Sequence, residues 1–428
     1  MKDTDIVDYC VNGLLKTGFE KASVHFKSME KTELNVEHND TNLLRTAKEI
    51  TLSLIGFVDQ KKGVIVINTL DEKTTNNAFQ EVFEIAKSSK PDPAYDISEN
   101  QGRKTYQFGP QQSDLDLIYN RNQEFLEHVQ ANYPNVILNV NLDHTIVRHI
   151  YSNSNDINLQ SNIGTYNVGV FFVTKEGQNS SSFNWTGFRS NALEREIHDM
   201  GSISNLLQQS SEQTETRLLP EKFVGDVIIT PDCFDFYKFI FREISDYPLI
   251  SGTSIYKDRL NEKIADSRLT IHSHPVSQEL AEGYFITNDG FEAKNTTILD
   301  KGVLKHFLLT IYGSKKTGKP IGPNRGNSYI IEPGDQSYED MIKSVEKGIL
   351  LCRFSGGMPN ARGDFSGVAK NSYYIENGQI QFPLSETMVS GNIADLFQNI
   401  KNISKERNDF GSDLVPWIQV TGITISGK

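Results

Sequence analysis

Cysteine is scarce in this chain of 428 residues, which has only Cys10, Cys233 and Cys352, far apart and never in a Cys-x-x-Cys pair. A disulfide framework is therefore not expected, and the cytoplasm is the expected compartment. Apolar runs of the roughly 20 residues that a membrane helix needs are also missing, and the mean hydropathy is −0.43. The acidic, helix-forming start MKDTDIVDYC is unlike a secretory signal peptide. We expect a cytoplasmic protein without a membrane span.

Positive charge is in short supply as well. Lysine and arginine number 43 against 55 aspartates and glutamates, which gives a net charge of −12. DNA-binding proteins gain much of their affinity by neutralising phosphates with a basic face. The sequence shows no stripe of lysine and arginine with interleaved aromatic residues. Direct DNA binding is therefore not expected.

The order of the predicted elements indicates an α+β protein of three units. The boundaries lie in polar stretches near residues 91–110 and 208–217, which we interpret as linkers. We predict two sandwich-like α/β units followed by a large, curved, mostly antiparallel β-domain. The predicted domains are residues 1–110, 111–218 and 219–428.

Hydrophobic periodicity places the elements within these units. We predict helices near residues 5–18, 72–87, 115–131, 192–208 and 233–244, the third capped by Ser113 or Asp114. Alternating patterns predict hairpin strands at 51–58 and 64–68, and long strands at 136–148, 150–160 and 166–175. In the third unit we predict strands at 227–229, 269–272, 283–287, 291–299 and 303–312.

The most informative stretch runs from residue 353 to residue 397. It begins with a polar loop rich in glycine, and Asn377-Gly378 then predicts a hairpin turn between alternating strands. A polar, glycine-rich loop beside a sheet can present backbone groups to a ligand. An extended peptide could pair with such an edge, although close packing of the glycines against a buried crossover explains the same pattern. The candidate substrate-binding residues are Ser355, Gly356, Gly357, Asn360, Arg362, Gly363 and Asp364.

The segments GDFS, IENGQI and SGNIADLF follow one another in this stretch. Together with LPEKFVGDVIITPD at 219–232, DKGVLKHFLLTIYGSKKTGKP at 300–320 and the terminal NDFGSDLVPWIQVTGITISGK, they resemble the C-terminal domain of the TldD/PmbA family. The family is also called TldE or modulator of DNA gyrase. The resemblance is strong over 219–428 and weaker before it. It implies either a TldD-type metallopeptidase or a PmbA-type partner that lacks the metal-binding residues.

A TldD-type peptidase requires a His-Glu-x-x-x-His helix, which lets two imidazoles one turn apart hold zinc. The corresponding helix here is CFDFYKFIFREIS, and no histidine lies between His198 and His272. The family's metal-site cysteine near the C-terminus is also missing, since none follows Cys352. The resemblance therefore implies a non-catalytic PmbA/TldE-like subunit. It would have no cofactor of its own, and zinc would belong to a TldD-like partner with which it encloses an extended peptide.

Two other hypotheses stay open. His272 and His274 face the same way if they lie on a strand, so a stand-alone metal-dependent hydrolase could use them with Asp266, Glu279, Glu282 or Asp289. A polar turn with solvent-facing histidines explains the pair more simply. The third hypothesis is a homodimeric peptide-binding module. The candidates for a subunit interface are four aromatic residues of the last domain, Phe236, Tyr237, Phe307 and Trp417.

Three weaker patterns have simple structural explanations. Glu194 and His198 have helical spacing, which is typical of an exposed acid–imidazole pair. The segment KKTGKP around Gly318 lacks the first glycine and the Ser/Thr of a phosphate-binding loop. No Gly-x-Ser-x-Gly elbow supports serine chemistry.

Overall fold

The computed structural model describes residues 3–219 and 221–427. The α-helices described in the first half are α1 (Asp3–Thr17), α2 (Glu72–Ser88), α3 (Leu115–Asn132) and α4 (Ile203–Glu212). Its strands are β1 (Lys21–Glu37), β2 (Asp40–Val58), β3 (Lys61–Ile67), β4 (Arg103–Phe108), β5 (Val136–Asn153), β6 (Ile157–Glu176), β7 (Asn179–Ser180) and β8 (Asn184–Ser190).

The second half has shorter elements. Its helices are α5 (Asp235–Glu243), α6 (Asp246–Ser251), α7 (Ile311–Thr317), α8 (Tyr338–Lys343) and α9 (Ile393–Gln398). Its strands are β9 (Phe223–Ile229), β10 (Ile271–Ser273), β11 (Thr296–Asp300), β12 (Val303–Leu304), β13 (Tyr329–Ile331), β14 (Lys347–Leu351), β15 (Arg353–Gly356), β16 (Asp364–Lys370), β17 (Tyr373–Glu376), β18 (Gln379–Pro383), β19 (Thr387–Asn392), β20 (Ile400–Asp409) and β21 (Leu414–Ser426).

The first sheet has the strand order β3-β2-β1-β5-β6-β4, with β7 and β8 also paired to β6. Its four long strands each run for 17 to 20 residues. Because side chains alternate along a strand, one face of β1 buries Val24 and Phe26 at one end and Leu34 and Val36 at the other. The first pair packs in a core with α1 and α2, and the second packs in a core with α3 and α4.

This sheet joins the two predicted N-terminal units. Strand β1 pairs with β5 in antiparallel register from Ser23 opposite Asn153 to Val36 opposite Val140. Strands on both sides of residue 110 therefore share one hydrogen-bonded sheet. The division of the chain into domains at residues 110 and 218 stays a prediction.

The second sheet contains 13 strands and follows the order β12-β11-β10-β13-β21-β9-β14-β17-β18 along its main path. Most pairs are antiparallel, and β9–β14 and β13–β21 are parallel. The predicted α+β class with a mostly antiparallel last part is confirmed. The turn between β17 and β18 is the expected Asn377-Gly378, with φ of 50° and 74° at the two residues.

The two halves contact each other through the face of the first sheet opposite its helices. Tyr151 and Leu159 of that face pack with Ile286 and Phe285 of the second half. The Phe285 ring also stacks on Tyr106 with a centroid distance of 4.8 Å. Within the described parts of the chain, none of the helices combines the length and apolarity that crossing a bilayer requires.

Two predictions in the first half were wrong. The predicted helix at 192–208 is a loop and a short 3₁₀ turn, Ile197–Asp199, and the α-helix begins only at Ile203 and ends at Glu212. Gly201, at φ of 56°, lies between the two and breaks the apolar helical pattern. The predicted linkers were also too long, because β4 lies within 91–110 and α4 extends into 208–217. Pairing with β6, which is not local in sequence, gives β4 its structure.

The strands predicted between residues 283 and 312 are mostly irregular. Only 296–300 and 303–304 form strands, and the end of the predicted strand at 303–312 is the start of α7. Thr310 caps this helix by accepting a hydrogen bond from the backbone N–H of Gly313. A local cap therefore overrides the alternating apolar pattern there.

Candidate functional site

Helix α5 is positioned by the end of β9. Strand β9 ends at Ile229, and a 3₁₀ turn, Pro231–Cys233, leads directly into the helix. Proline suits the first position of a helical turn because its missing N–H would have no partner there. The hydroxyl of Thr230 donates to the carbonyl of Cys352 at 3.1 Å, which fixes this turn against the chain that follows β14.

The aromatic residues of α5 fill the core of the second half. The Phe236 ring lies 5.1 Å from Phe354 and 5.3 Å from Phe365, and Phe241 stacks on Tyr329 at 3.7 Å. These contacts make α5 a core helix of the second half.

The interface candidates proposed from the sequence were largely wrong. Phe236, Tyr237 and Phe307 are at most 5% exposed, so they cannot form a docking surface in this fold. Trp417 is half-buried and packs against Tyr338. Burial in the monomer core, which the sequence pattern alone does not distinguish from burial in an interface, explains these aromatic residues.

A cavity of about 440 Å³, which we call the α5 cavity, opens beside the start of this helix. Strand β8 forms one wall through residues 184–187, and the turn before α5 forms the floor. The opposite wall is Cys352 and residues 353–356 of β15, and residues 410–413 close one end. The cavity therefore lies where the first sheet, the aromatic helix and the glycine-rich stretch meet.

Asp232 is the acidic group at the floor of this cavity. The hydroxyl of Ser202 donates to its carboxyl at 2.5 Å. The residue is surrounded by protein atoms but partly exposed, because the α5 cavity and a second cavity of about 400 Å³ both reach it. Burial raises the pKa of Asp232 from 3.8 to about 6, against the opposing effect of the Ser202 hydrogen bond. This carboxyl can exchange a proton near neutral pH.

Strand β15 presents an open edge to the cavity. Among the described residues it pairs only with β16, where Arg353 lies opposite Lys370 and Gly356 lies opposite Gly367. The ring of Phe354 covers both glycines, because a Cβ atom at either would lie 2.5 Å from it. Close packing thus requires Gly356 and Gly367. Among the described residues, no strand pairs with the other edge of β15, and Ser355 and Gly356 are exposed, whereas the N–H of Phe354 donates to the Cys233 sulfur.

The hairpin tip that follows, residues 357–364, is held together by its own polar groups. The Asn360 side-chain oxygen accepts from the N–H groups of Arg362 at 2.8 Å and Asp364 at 3.1 Å. The Asp364 carboxylate accepts from the side-chain amides of Asn392 at 2.9 Å and Asn360 at 3.1 Å. These hydrogen bonds lower the pKa of Asp364 below its ordinary value. Gly363 has φ of 90°, which a residue with a side chain rarely adopts.

The candidate residues of the loop therefore fall into two groups. Ser355 and Gly356 line the α5 cavity. Asn360, Gly363 and Asp364 shape the exposed tip instead, where the Arg362 side chain is also exposed. Gly357 lies between the groups, with no atom within 4 Å of a Cβ placed on it. Their role in substrate binding stays a prediction.

His272 and His274 lie outside the α5 cavity. Their rings are 4.8 Å apart, but Nδ1 of His272 is already hydrogen-bonded with Thr297 at 2.9 Å and Nε2 with Glu332 at 3.0 Å. Burial, followed by the nearby His272, lowers the pKa of His274. Within residues 3–219 and 221–427, no three His, Cys, Asp or Glu side chains are arranged to hold a metal ion.

Three of the four acidic partners suggested for this pair are engaged elsewhere, and the fourth, Glu279, acts on His274 only by raising its pKa against the effect of burial. Asp266 pairs with Arg268 at 2.9 Å, Glu282 pairs with Arg189, and Asp289 accepts from the N–H of Ile311 at 2.9 Å. The residues around the two histidines therefore do not fit the zinc site of a peptidase, and neither does the aromatic α5.

The weaker sequence patterns have structural roles. His198 is not on an α-helix with Glu194, and its ring stacks on His128 at 3.6 Å. Gly318 ends α7 with φ of 70°, so KKTGKP is a helix terminus.

Three parts of the cavity wall were not identified from the sequence. They are the β8 segment, Asp232 and residues 410–413. Only Asp232 had a local signal, since it follows a strand and Pro231 at the start of a helix. The other two reach the cavity through contacts between distant parts of the chain, for example the N–H of Arg189 donating to the carbonyl of Phe410 at 2.9 Å.

Comparison with known proteins agrees with this architecture. The sequence profile of the PmbA/TldA metallopeptidase C-terminal domain matches residues 223–427. Metalloprotease PmbA of Escherichia coli O157:H7 is 31% identical over 188 residues, which cover 40% of this chain and 41% of that protein. The zinc metalloprotease TldD homolog of Saccharolobus solfataricus is 26% identical over 232 residues, covering 50% and 52%. The chain thus aligns with about half the length, or less, of these relatives.

Two solved structures share the fold over nearly the whole chain. TldE from Thermococcus kodakarensis superimposes with a TM-score of 0.86 at 16% identity, covering 99% of this chain and all of that one. A candidate modulator of DNA gyrase from Bacteroides thetaiotaomicron gives a TM-score of 0.87 at 21% identity, covering 100% and 99%. The part of the chain from β9 to β21 thus matches the C-terminal domain of the PmbA/TldA metallopeptidases, and the whole chain shares the fold of these two solved structures.

Proposed function

We propose that this protein is a non-catalytic, PmbA/TldE-like subunit that binds an extended peptide and helps a TldD-type zinc peptidase enclose and cleave it. The observation that carries the proposal is the open edge of β15 on the wall of the α5 cavity. A peptide in β conformation can add to such an edge through main-chain hydrogen bonds, whereas a folded protein has few free main-chain groups to offer.

The composition of α5 supports a non-catalytic role. The family resemblance implies a metal-binding helix at this position, after β9, and α5 instead has buried Phe239, Ile240 and Phe241 without any histidine. In the proposed assembly, zinc is bound by the partner and activates the water that hydrolyses the peptide bond. The residues of this chain hold and orient the substrate.

The decisive experiment combines the purified chain with a TldD-type partner and follows cleavage of an unfolded peptide. We expect cleavage by the mixture and none by this chain alone, with no stoichiometric zinc in the chain after dialysis. A folded protein that contains the same peptide sequence is the matched control, and it should resist cleavage. A heteromeric complex should be visible by light scattering on mixing.

The alternatives give different results. One zinc per chain that is lost in the double variant His272→Ala/His274→Ala would favour the stand-alone hydrolase and overturn this proposal. Peptide binding by a homodimer, with no complex and no cleavage on mixing, would favour the homodimeric binding module.

Binding through the edge of β15 can be tested on the peptide itself. Methylating alternate backbone nitrogens removes the N–H groups that face β15 in one register and spares them in the other. We expect one methylation register to weaken binding at least about tenfold and the other to change it little, since several main-chain hydrogen bonds are lost together. Equal binding of both methylated peptides would rule out pairing with this edge.

A further inference from the structure

A second groove shares Arg353 and Ser355 of β15 with the α5 cavity. It has a volume of about 630 Å³ and lies between β6 with the following segment 180–183 and the β15–β16 hairpin. A peptide chain that follows β15 would therefore contact both the groove and the α5 cavity.

The groove is cationic although the protein is acidic. Arg353, Lys370, Lys175 and His38 line it, and no aspartate or glutamate does. Over the described residues, the first three form no ion pair within 4 Å, in a chain whose net charge is −12.

Two of the cations repel each other in the free protein. Arg353 and Lys370 are directly opposite in the β15–β16 register, and both line the groove. Like charges at opposed positions of an antiparallel pair are destabilising. The Arg353 side chain is half-buried, and this burial lowers the pKa of its guanidinium. An anion bound between the two side chains would reduce the charge repulsion and would stabilise the half-buried guanidinium charge.

Aromatic rings are exposed in the same groove. Phe171 is 43% exposed and Phe183 is 61% exposed, and the two rings stack with a centroid distance of 5.4 Å. Trp185, 63% exposed, lies beyond them on the wall of the α5 cavity. Exposed aromatic side chains beside a groove offer apolar surface to a ligand.

We propose that this groove is a specificity subsite for an acidic side chain of an extended peptide, with an apolar side chain of the same peptide on the Phe171–Phe183 pair. The proposal rests on the proposed function, because it assumes that the peptide runs along β15. Successive side chains of a strand point to opposite faces, so the acidic and apolar residues must be two positions apart. The preferred pattern is therefore an acidic residue, any residue, and an aromatic residue.

The test uses three labelled peptides that differ at one position. Each has about eight residues, long enough to span β15 with residues to spare, and carries Glu-x-Phe, Gln-x-Phe or Lys-x-Phe between blocked ends. Fluorescence anisotropy gives Kd for each at low and high salt. We expect the Glu peptide to bind about tenfold more tightly than the Gln peptide, and this preference to shrink in high salt, as for charge-assisted contacts.

Variants of the groove residues test which side chains produce the preference for the Glu peptide over the Gln peptide. Arg353→Gln and Lys370→Gln should each reduce the ratio of Gln-peptide Kd to Glu-peptide Kd by about threefold or more. Lys222→Gln is the matched control, since Lys222 is an exposed lysine of the second half that does not line the groove. Because the two groove cations repel each other, neither groove variant should lower the melting temperature.

The possible outcomes distinguish failure of the acidic subsite from failure of the proposed function. Equal Kd values for the Glu and Gln peptides, or an equal loss of preference in Lys222→Gln, would overturn the acidic subsite while peptide binding stands. No binding of any of the three peptides would overturn the proposed function itself. If free glutamate or inorganic phosphate displaced the Glu peptide at equal concentration, the groove would be a small-anion site and the peptide subsite would be wrong.

Discussion

Asp232 lines the α5 cavity and Asp364 lies outside it in the hairpin tip, and the surroundings of the two carboxyl groups differ. Asp364 is in the exposed hairpin tip, where hydrogen bonds from Asn392 and Asn360 lower the pKa of its carboxyl. Asp232 lies deep at the floor of the α5 cavity, where burial raises its pKa to about 6. The tip satisfies its own polar groups, whereas β15 pairs with only one strand among the described residues and lines the cavity.

The difference shows which part of the glycine-rich stretch is a candidate for binding. A polar group that already has its partners gains little from a ligand, while one that lacks them gains a hydrogen bond at small cost. By this criterion, residues 357–364 act mainly as structure, and β15 with its neighbours is the better candidate surface. Single substitutions can test whether the tip is structural and β15 binds the peptide.

Phe354→Ala should destabilise the protein most. Its ring packs on Phe236 and Phe365 and covers Gly356 and Gly367. Loss of a large, partly buried ring costs about 3 kcal/mol of unfolding free energy, and chemical denaturation measures it. Phe183→Ala is the matched control, because that ring is 61% exposed and its loss should change stability by less than about 0.5 kcal/mol. Similar effects of the two changes would contradict the assignment of β15 to the core of the second half.

Asp232→Asn should change the pH dependence of stability. The folded state holds the Asp232 proton up to a pH of about 6, whereas the ordinary pKa is 3.8. Ionising this carboxyl therefore costs the folded state stability as pH rises from about 4 to about 6, and the loss is complete above that range. The variant cannot ionise, so above pH 6 we expect it to be more stable than the wild type by about 1–2 kcal/mol. This figure is smaller than the full pKa shift implies, because water in the two cavities screens the charge. Below pH 4 the variant should be no more stable than the wild type.

At the hairpin tip, replacing the aspartate should have the opposite effect on stability at neutral pH. The pKa of Asp364 is lowered in the folded state, so its carboxylate stabilises the fold at neutral pH and this contribution disappears in acid. Asp364→Asn should therefore lower the melting temperature at pH 7 and leave it unchanged at the acid end. Melting curves of both aspartate variants across pH test the two predictions together. If both variants raised the melting temperature at pH 7, or both lowered it, the contrast between cavity and tip would be wrong.

Asn360→Ala should cost about 1 kcal/mol of stability, because it removes the acceptor for the N–H groups of Arg362 and Asp364. Peptide affinity of the folded variant should be unchanged, since the tip does not line the cavity. Arg362→Ala is its control and should change neither quantity measurably. A loss of peptide affinity in Asn360→Ala at temperatures where it remains folded would place the tip in the binding site.

Gly357→Val should have the smallest effect on stability. A Cβ at this position meets no atom within 4 Å, so the change should alter the unfolding free energy by less than about 0.5 kcal/mol. If the peptide passes this point on leaving β15, the added side chain should weaken binding and slow cleavage by the mixture with a TldD-type partner. Normal cleavage would show that the peptide does not reach residue 357.

Much of the local structure could be predicted from the sequence. Helices at 72–87 and 115–131 lie within a residue of those observed, because capping aspartates and apolar periodicity act within a few residues. The Asn377-Gly378 hairpin follows from the same kind of local preference. Strands with distant partners were harder to predict. For example, β4 pairs in parallel with β6, which is more than 50 residues away in the chain.

The sequence by itself determined that α5 has no imidazole and that a glycine-rich strand and hairpin follow β14, because residue identity and short-range backbone preference decide these features. It also determined the excess of negative charge. The tertiary structure alone decided which of the polar residues are satisfied. Residues 184–187, 232, 353–356 and 410–413 form one cavity only after the two sheets pack, and Arg353 and Lys370 become neighbours only in the β15–β16 register. Burial and unpaired charge depend on contacts between residues far apart in the chain, and short-range sequence patterns do not contain them.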